Sequence, residues 1–149
     1  EMDTMLLVYA GGVYHLCWAT FDFFWPYLFN WEKTLAPLDD FNRPILRITG
    51  KLLSFLYTAL AFFSFFHAHD LLETGIGRSL LIFAALFWTI RAGMQIHFYG
   101  FKKANQIRKP EMPFSRLFKN TSNQAVSTML FVIMTIGVAL YLIPAVLTP

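Results

Sequence analysis

Residues 125–147 read AVSTMLFVIMTIGVALYLIPAVL, an apolar run without a single charged side chain. A helix needs about 20 such residues to cross roughly 30 Å of hydrocarbon. Inside lipid a helix satisfies all its own backbone N–H and C=O groups, so an open apolar run of this length is helical. Three further runs have the same character, at about 5–29, 45–66 and 79–99. Transmembrane strands would be about half as long and would alternate apolar with polar residues, which these runs do not. The sequence therefore predicts an all-α polytopic membrane protein, a four-transmembrane-helix bundle forming one domain over residues 1–149.

Composition agrees. Of the 149 residues, 56% are hydrophobic and 14% are charged, against about 25% charged in an ordinary soluble domain. A chain this short cannot bury so much apolar surface in a globular core. The lone Cys17 excludes an internal disulfide and any CxxC metal or redox motif. No basic stretch precedes the first run and no small-residue cleavage site follows it, so it is expected to be a retained span rather than a signal peptide.

The connections supply the orientation. The first, with Lys33 and Arg43 and with Arg47 and Lys51 just beyond it, carries Pro37, Asp39, Asp40, Asn42 and Pro44 as turn and cap chemistry. The second contains Gly75 and Gly77, which suit a helix stop and restart, and one cation, Arg78. The third, about 100–124, holds Lys102, Lys103, Arg108, Lys109, Arg116 and Lys119. Short cytoplasmic loops collect lysine and arginine, so the first and third loops are expected inside and both termini outside. Asn120-Thr121-Ser122 fits a glycosylation sequon, but this topology puts it on the cytoplasmic side.

Ionisable groups at membrane depth cost roughly 2.5–3.5 kcal/mol each and call for a partner or a purpose. His15 and Asp22 lie in the first run and Arg91 in the third. Asp22 and Arg91 are expected at similar depth, towards the cytoplasm, and a direct Asp–Arg pair is the simplest arrangement. Pro26 clashes with the carbonyl four residues back, that of Asp22, and predicts a kink there. His15, Trp18 and Asp22 share one helix face. So do Trp88, Arg91 and Gln95 on the third span, and Arg47, Lys51, Ser54 and Thr58 on the second. These faces predict an interior polar seam of His15, Asp22, Arg91, Gln95 and Lys51, with Lys51 able to snorkel to the surface. The plainer alternative is that such residues are interhelical glue. Gly11-Gly12 and Ala92-Gly93 are expected to let the first and third spans pack closely.

Other constellations are weaker. No two histidines face each other at matched depth as haem ligation needs, so no haem is expected. His67, His69, Asp70 and Glu73 form a dense polar cluster; His69 and Glu73, one helical turn apart, have metal-ligand spacing, although a wetted helix end explains the same residues. Aromatics crowd the inner ends of the first and third spans, among them Phe24, Trp25, Tyr27, Trp31, Phe98 and Tyr99. Belt anchoring accounts for the Trp and Tyr of this set, and a quinone or lipid slot is the ligand-binding reading. The basic loop, with Phe114, Leu117 and Phe118 interleaved, suits the anionic cytoplasmic leaflet rather than nucleic acid. No nucleophile has a histidine and an acid at a recognisable spacing, and there is no phosphate loop and no HExxH.

The stretches Tyr14-His15-Leu16, Phe24-Trp25, Phe29-Asn30-Trp31, Asn42-Arg43-Pro44-Ile45-Leu46, Gly77-Arg78-Ser79-Leu80-Leu81 and Leu86-Phe87-Trp88, with Arg91 and Gln95, resemble small four-helix bacterial membrane proteins of unassigned activity. The resemblance covers roughly the first 100 residues. It implies a bacterial inner-membrane location and the helix count, and it implies no activity and no site residue.

The functional expectation is a small integral membrane protein without catalytic machinery, an accessory subunit or a binder of a lipid-like molecule, whose partners are the bilayer, other membrane chains or further copies of itself. The alternative is an oligomeric proton-linked transporter or channel that uses His15, Asp22 and Arg91.

Overall fold

A computed structural model describes residues 2–100 and 123–147 of the chain. Among them the structure is all-helical, without strands: α1 (Met2–Leu28), α2 (Trp31–Thr34), α3 (Asn42–Phe66), α4 (Ala68–Glu73), α5 (Gly75–Phe98) and α6 (Asn123–Leu147). The four long helices have 24 to 27 residues each and are by length and composition apolar enough to cross a membrane. Even the shortest spans about 36 Å. The basic residues Lys102, Lys103, Arg108, Lys109, Arg116 and Lys119, and the sequon at Asn120, lie outside the described residues.

The polarity of the molecule is inverted relative to a soluble protein. Phe55, Phe83, Val132 and Ile136 stand on outward faces, while His15, Ser64, Gln95 and Ser127 are buried inside. Water would penalise that outer surface, and lipid tails match it. Helix α1 packs along α3 on one side and along α6 on the other, and α5 packs along α6. Helices α3 and α5 barely meet along their backbones. Tyr57 of α3, stacked on Trp88 of α5 at 5.6 Å between ring centroids, fills the space between them.

The connections are built by specific side chains. Asn30 adopts a left-handed conformation (φ 46°) that turns the chain out of α1 into α2. Trp31 then lies over α3 at Gly50, where a Cβ would come 3.0 Å from the indole. Arg43 gathers the loop by donating from Nε to the Leu35 carbonyl (3.2 Å) and from Nη2 to those of Ala36 (3.0 Å) and Leu38 (2.7 Å). Its guanidinium thus serves backbone acceptors of its own connection and, at 3.8 Å, the Asp40 carboxylate.

Asp39 caps α3. Its Oδ1 accepts from the backbone N–H groups of Phe41 and Asn42, and its Oδ2 from the Asn42 side-chain amide. The Asn42 amide, then the backbone donors, hold this exposed carboxyl below its ordinary value. A group depressed in the folded state contributes stability above its unfolded value, near pH 4, and that contribution is lost as pH falls through the folded value. Amide exchange at Phe41 and Asn42 should therefore quicken as pH drops below about 4, after correction for the intrinsic rate. In Asp39→Asn this pH dependence should disappear.

The second connection holds the expected helix stop and restart, but the break falls at Thr74: α4 ends at Glu73, and Gly75 and Gly77 both lie in the first turn of α5, whose N-cap is Thr74. The Thr74 hydroxyl accepts from the Gly77 N–H at 2.9 Å and donates to the Asp70 carbonyl at 2.7 Å. Helix α4 packs against α5, and Gly77 sits where only a hydrogen side chain fits.

Candidate functional site

His15, near the middle of α1, is fully buried. Its Nε2 accepts from the Trp88 indole N–H at 3.0 Å. Its Nδ1 is 2.6 Å from the Tyr141 hydroxyl, which lies 3.1 Å from Ser64 Oγ. Ser64 Oγ donates in turn to the Leu60 carbonyl at 2.8 Å. The two ends of this chain fix every proton in it. An indole N–H can only donate and a backbone carbonyl can only accept. His15 Nε2 must then be bare and Nδ1 protonated. Nδ1–H donates to Tyr141, Tyr141 donates to Ser64, and Ser64 donates to Leu60. The Gly11 carbonyl, another acceptor, also faces the His15 ring. The tautomer is assigned from this network. A ¹⁵N spectrum of labelled histidine should show Nδ1 protonated and Nε2 bare for His15, and the reverse pattern would overturn the assignment.

This chain links all four long helices: Trp88 from α5, His15 from α1, Tyr141 from α6 and Ser64 from α3. Aromatic rings enclose it. Tyr14 meets Trp88 edge-on at 4.9 Å and Trp18 lies 5.5 Å from the same indole. The Tyr14 hydroxyl donates to the Ile133 carbonyl of α6 at 2.9 Å. Two glycines make room for the rings. A Cβ on Gly11 would come 2.6 Å from the Tyr141 ring, and one on Gly137 would come 2.9 Å from both Trp88 and Tyr14.

Two turns along α1 from His15 and one turn along α5 from Trp88 lie Asp22 and Arg91, both half-buried. The expected direct pair is not formed. Their N···O distance exceeds the 4.0 Å of an ion pair, and Asp22 Oδ2 is buried without a hydrogen-bond partner. Arg91 nevertheless acts electrostatically on Asp22 and faces the Tyr57 hydroxyl. Two helical turns beyond Trp88, the Gln95 amide donates to Ser127 Oγ at 3.2 Å, and Ser127 donates to the Gly100 carbonyl at 2.7 Å. Gly100 takes a positive φ of 54° to end α5.

The sequence-derived seam is thus only partly assembled. His15 and Gln95 are buried and Asp22 and Arg91 approach each other, but Lys51 is exposed. The polar stripe of α3 does not turn inward. Its inner face is Tyr57, Leu60, Ala61 and Ser64, which puts Arg47, Lys51 and Thr58 outside. Gly11 and Gly12 face α6 and α3 rather than α5, and Gly93 has nothing within 4 Å of a built Cβ. Spans one and three meet through side chains, with Trp88 against His15 and Trp18. Helix α1 continues through Pro26 to Leu28.

The four residues of the metal reading separate into two couples, His67 with Asp70 (3.0 Å) and His69 with Glu73 (2.7 Å). No group of three His, Cys, Asp or Glu side chains converges on a metal position among the described residues. The couples form because i,i+3 spacing from the N-cap His67 and i,i+4 spacing within the short α4 turn each histidine to its own acid.

Tyr14, Tyr57, Ser64, Ser127 and Tyr141 are the cluster members that sequence reasoning missed. Mid-span tyrosine was the available signal, since tyrosine anchors at membrane surfaces and needs a hydroxyl partner when placed deeper. Comparison of the chain with protein-family models, curated proteins and solved structures finds no match.

Proposed function

We propose that this chain is a small, non-enzymatic membrane protein that binds a lipid-like molecule or serves as an accessory subunit of a membrane complex. It is read as a four-helix bundle with both termini outside and the basic loops on the cytoplasmic side of a bacterial inner membrane. The orientation rests on charge placement: ten lysines and arginines fall in or beside the first and third loops, and only Arg78 beside the second.

The observation that carries the functional reading is the contrast between the two polar layers. The His15 layer is closed, with each proton donated once and both ends terminated, which is the pattern of structural glue. The Asp22 layer is open, with a buried carboxylate oxygen awaiting a donor. A polar layer left incomplete in this way, beside a first layer that is fully closed, favours binding over catalysis. A lipid or quinone is the ligand class that this environment favours.

Purification in mild detergent, followed by mass spectrometry of the co-purifying lipids and chains, tests the proposal. A reproducible lipid or partner is the expected result, and a protein that comes through alone would sink it. The transport reading keeps Asp22 and Arg91 but loses support for His15, because a hydrogen-bond chain that ends on an indole and a carbonyl conducts no proton. If Asp22→Asn abolished a pH-driven flux in liposomes, transport would displace the binding reading. The expected outcome is no flux in either protein.

A further inference from the structure

Asp22 Oδ2 is the one buried side-chain oxygen or nitrogen without a hydrogen-bond partner among the described residues. Its natural counter-ion, Arg91, stands beyond ion-pair distance, over 4.0 Å away. Two opposite charges held near each other, yet apart, bear much of their desolvation cost without the contact that offsets it. Arg91 is not drawn elsewhere by another acid: the ion pairs among the described residues are Arg43–Asp40, His67–Asp70 and His69–Glu73.

What fits between them follows from charge. An anion would satisfy Arg91 and repel Asp22, a cation would do the converse, and a neutral molecule would leave both charges uncompensated. A zwitterion satisfies both. Its ammonium donates to the carboxylate, and its acid group takes the guanidinium, which binds phosphate and carboxylate oxygens in a two-pronged fashion.

Access is compatible with a headgroup. Asp22 and Arg91 lie about 10 Å from the ends of α1 and α5 at Leu28 and Phe98. Helices this long extend past roughly 30 Å of hydrocarbon, so the site sits a short step below the headgroups. Helices α3 and α5, which flank it, barely meet along their backbones. The short α4 that joins them is at their other end.

We propose that Asp22, Tyr57 and Arg91 form an intramembrane site for a zwitterion, with an ammonium group on Asp22 and a phosphate or carboxylate on Arg91. This deepens the lipid-binding reading and rests on it. Phosphatidylethanolamine carries this chemistry as a lipid, and phosphoethanolamine carries it as a solute.

The test uses the full chain in nanodiscs of equal phosphatidylethanolamine, phosphatidylglycerol and phosphatidylcholine, with retained lipid read by native mass spectrometry. Phosphatidylethanolamine should be retained about tenfold over phosphatidylglycerol, which lacks the ammonium, and over phosphatidylcholine, whose quaternary nitrogen has no N–H to donate. Asp22→Asn should erase that preference, Arg91→Gln should lower retention of all three, and Asp22→Glu should keep the preference and report that the site still folds. Loss of bound lipid on adding millimolar phosphoethanolamine would support the site and identify a soluble zwitterion as its source. Retention of all three lipids alike, or a preference that survives Asp22→Asn, would overturn this inference alone. Retention of no lipid at all would overturn the lipid-binding reading with it.

Discussion

Trp88→Ala should lower stability by about 3 kcal/mol, the lower end of the range for removing a large buried aromatic. The lower end applies because helices separated in a membrane meet lipid tails rather than water, so much of the transfer contribution is absent and the cavity and lost packing remain. Trp88 is fully buried. It stacks on Tyr57, meets Tyr14 edge-on, packs on Trp18 and donates to His15. Its removal leaves a void where all four long helices meet and strips His15 Nε2 of its donor. Trp88→Phe separates these contributions. The ring is largely kept and the N–H is lost, so the cost should fall to about 1 kcal/mol, the size of an interhelical hydrogen bond in membranes. Reversible unfolding in mixed micelles measures both. Equal costs for the two variants would show that the indole acts through its hydrogen bond and not through packing.

Gly77→Ala should cost about 3 kcal/mol, at the upper end of overpacking effects. A Cβ there would lie 2.1 Å from the Asp70 carbonyl oxygen and 2.4 Å from Leu71 Cα. Both obstacles are backbone, which cannot swing aside as a side chain can. Relief requires moving α4 away from α5, and that breaks the Thr74 hydroxyl bridge between Asp70 and Gly77. Gly75 provides the control, two residues away in the same turn, with nothing within 4 Å of its Cβ position. Gly75→Ala should be neutral or stabilising by up to about 1 kcal/mol, because alanine restricts the unfolded chain. The two variants together decide whether close approach or backbone freedom explains the glycines. Equal effects would reject close approach.

How legible each part was depended on the kind of signal it left. The four spans were plain from the runs at 5–29, 45–66, 79–99 and 125–147, and the observed helices differ from them by only a few residues at most ends. Turn and cap chemistry before α3 was equally plain, since it is local, although it left open which of Asp39, Asp40 and Asn42 takes the backbone donors. The start of α5 was not. Thr74 resembles any threonine in a polar connection, and its role comes from the carbonyl of Asp70 that α4 brings to it. Among the site residues, His15 and Asp22 stood out because ionisable groups are rare in apolar runs. Tyr141 and Ser64 did not, although they carry the hydrogen-bond chain of His15 on to the Leu60 carbonyl. A tyrosine in a span is ordinary until its hydroxyl has a partner, and that partner lies on another helix.

Sequence by itself determined the solvent and the elements: lipid outside, and helices because an isolated strand in lipid leaves its backbone unsatisfied. It also picked out the residues that are costly in such a setting. Only the tertiary structure decided which of them meet. The rotation of α3 about its own axis turned Tyr57 and Ser64 inward and Lys51 outward. The small surfaces of Gly11 and Gly137 admitted Tyr141 and Trp88 to the centre. Asp22 and Arg91 were brought near each other and then held apart. Rotation and separation are set by side-chain volumes summed over several helices at once, and a single apolar run carries no record of its neighbours' volumes. The expected ion pair therefore became a gap, and that gap is where function is proposed.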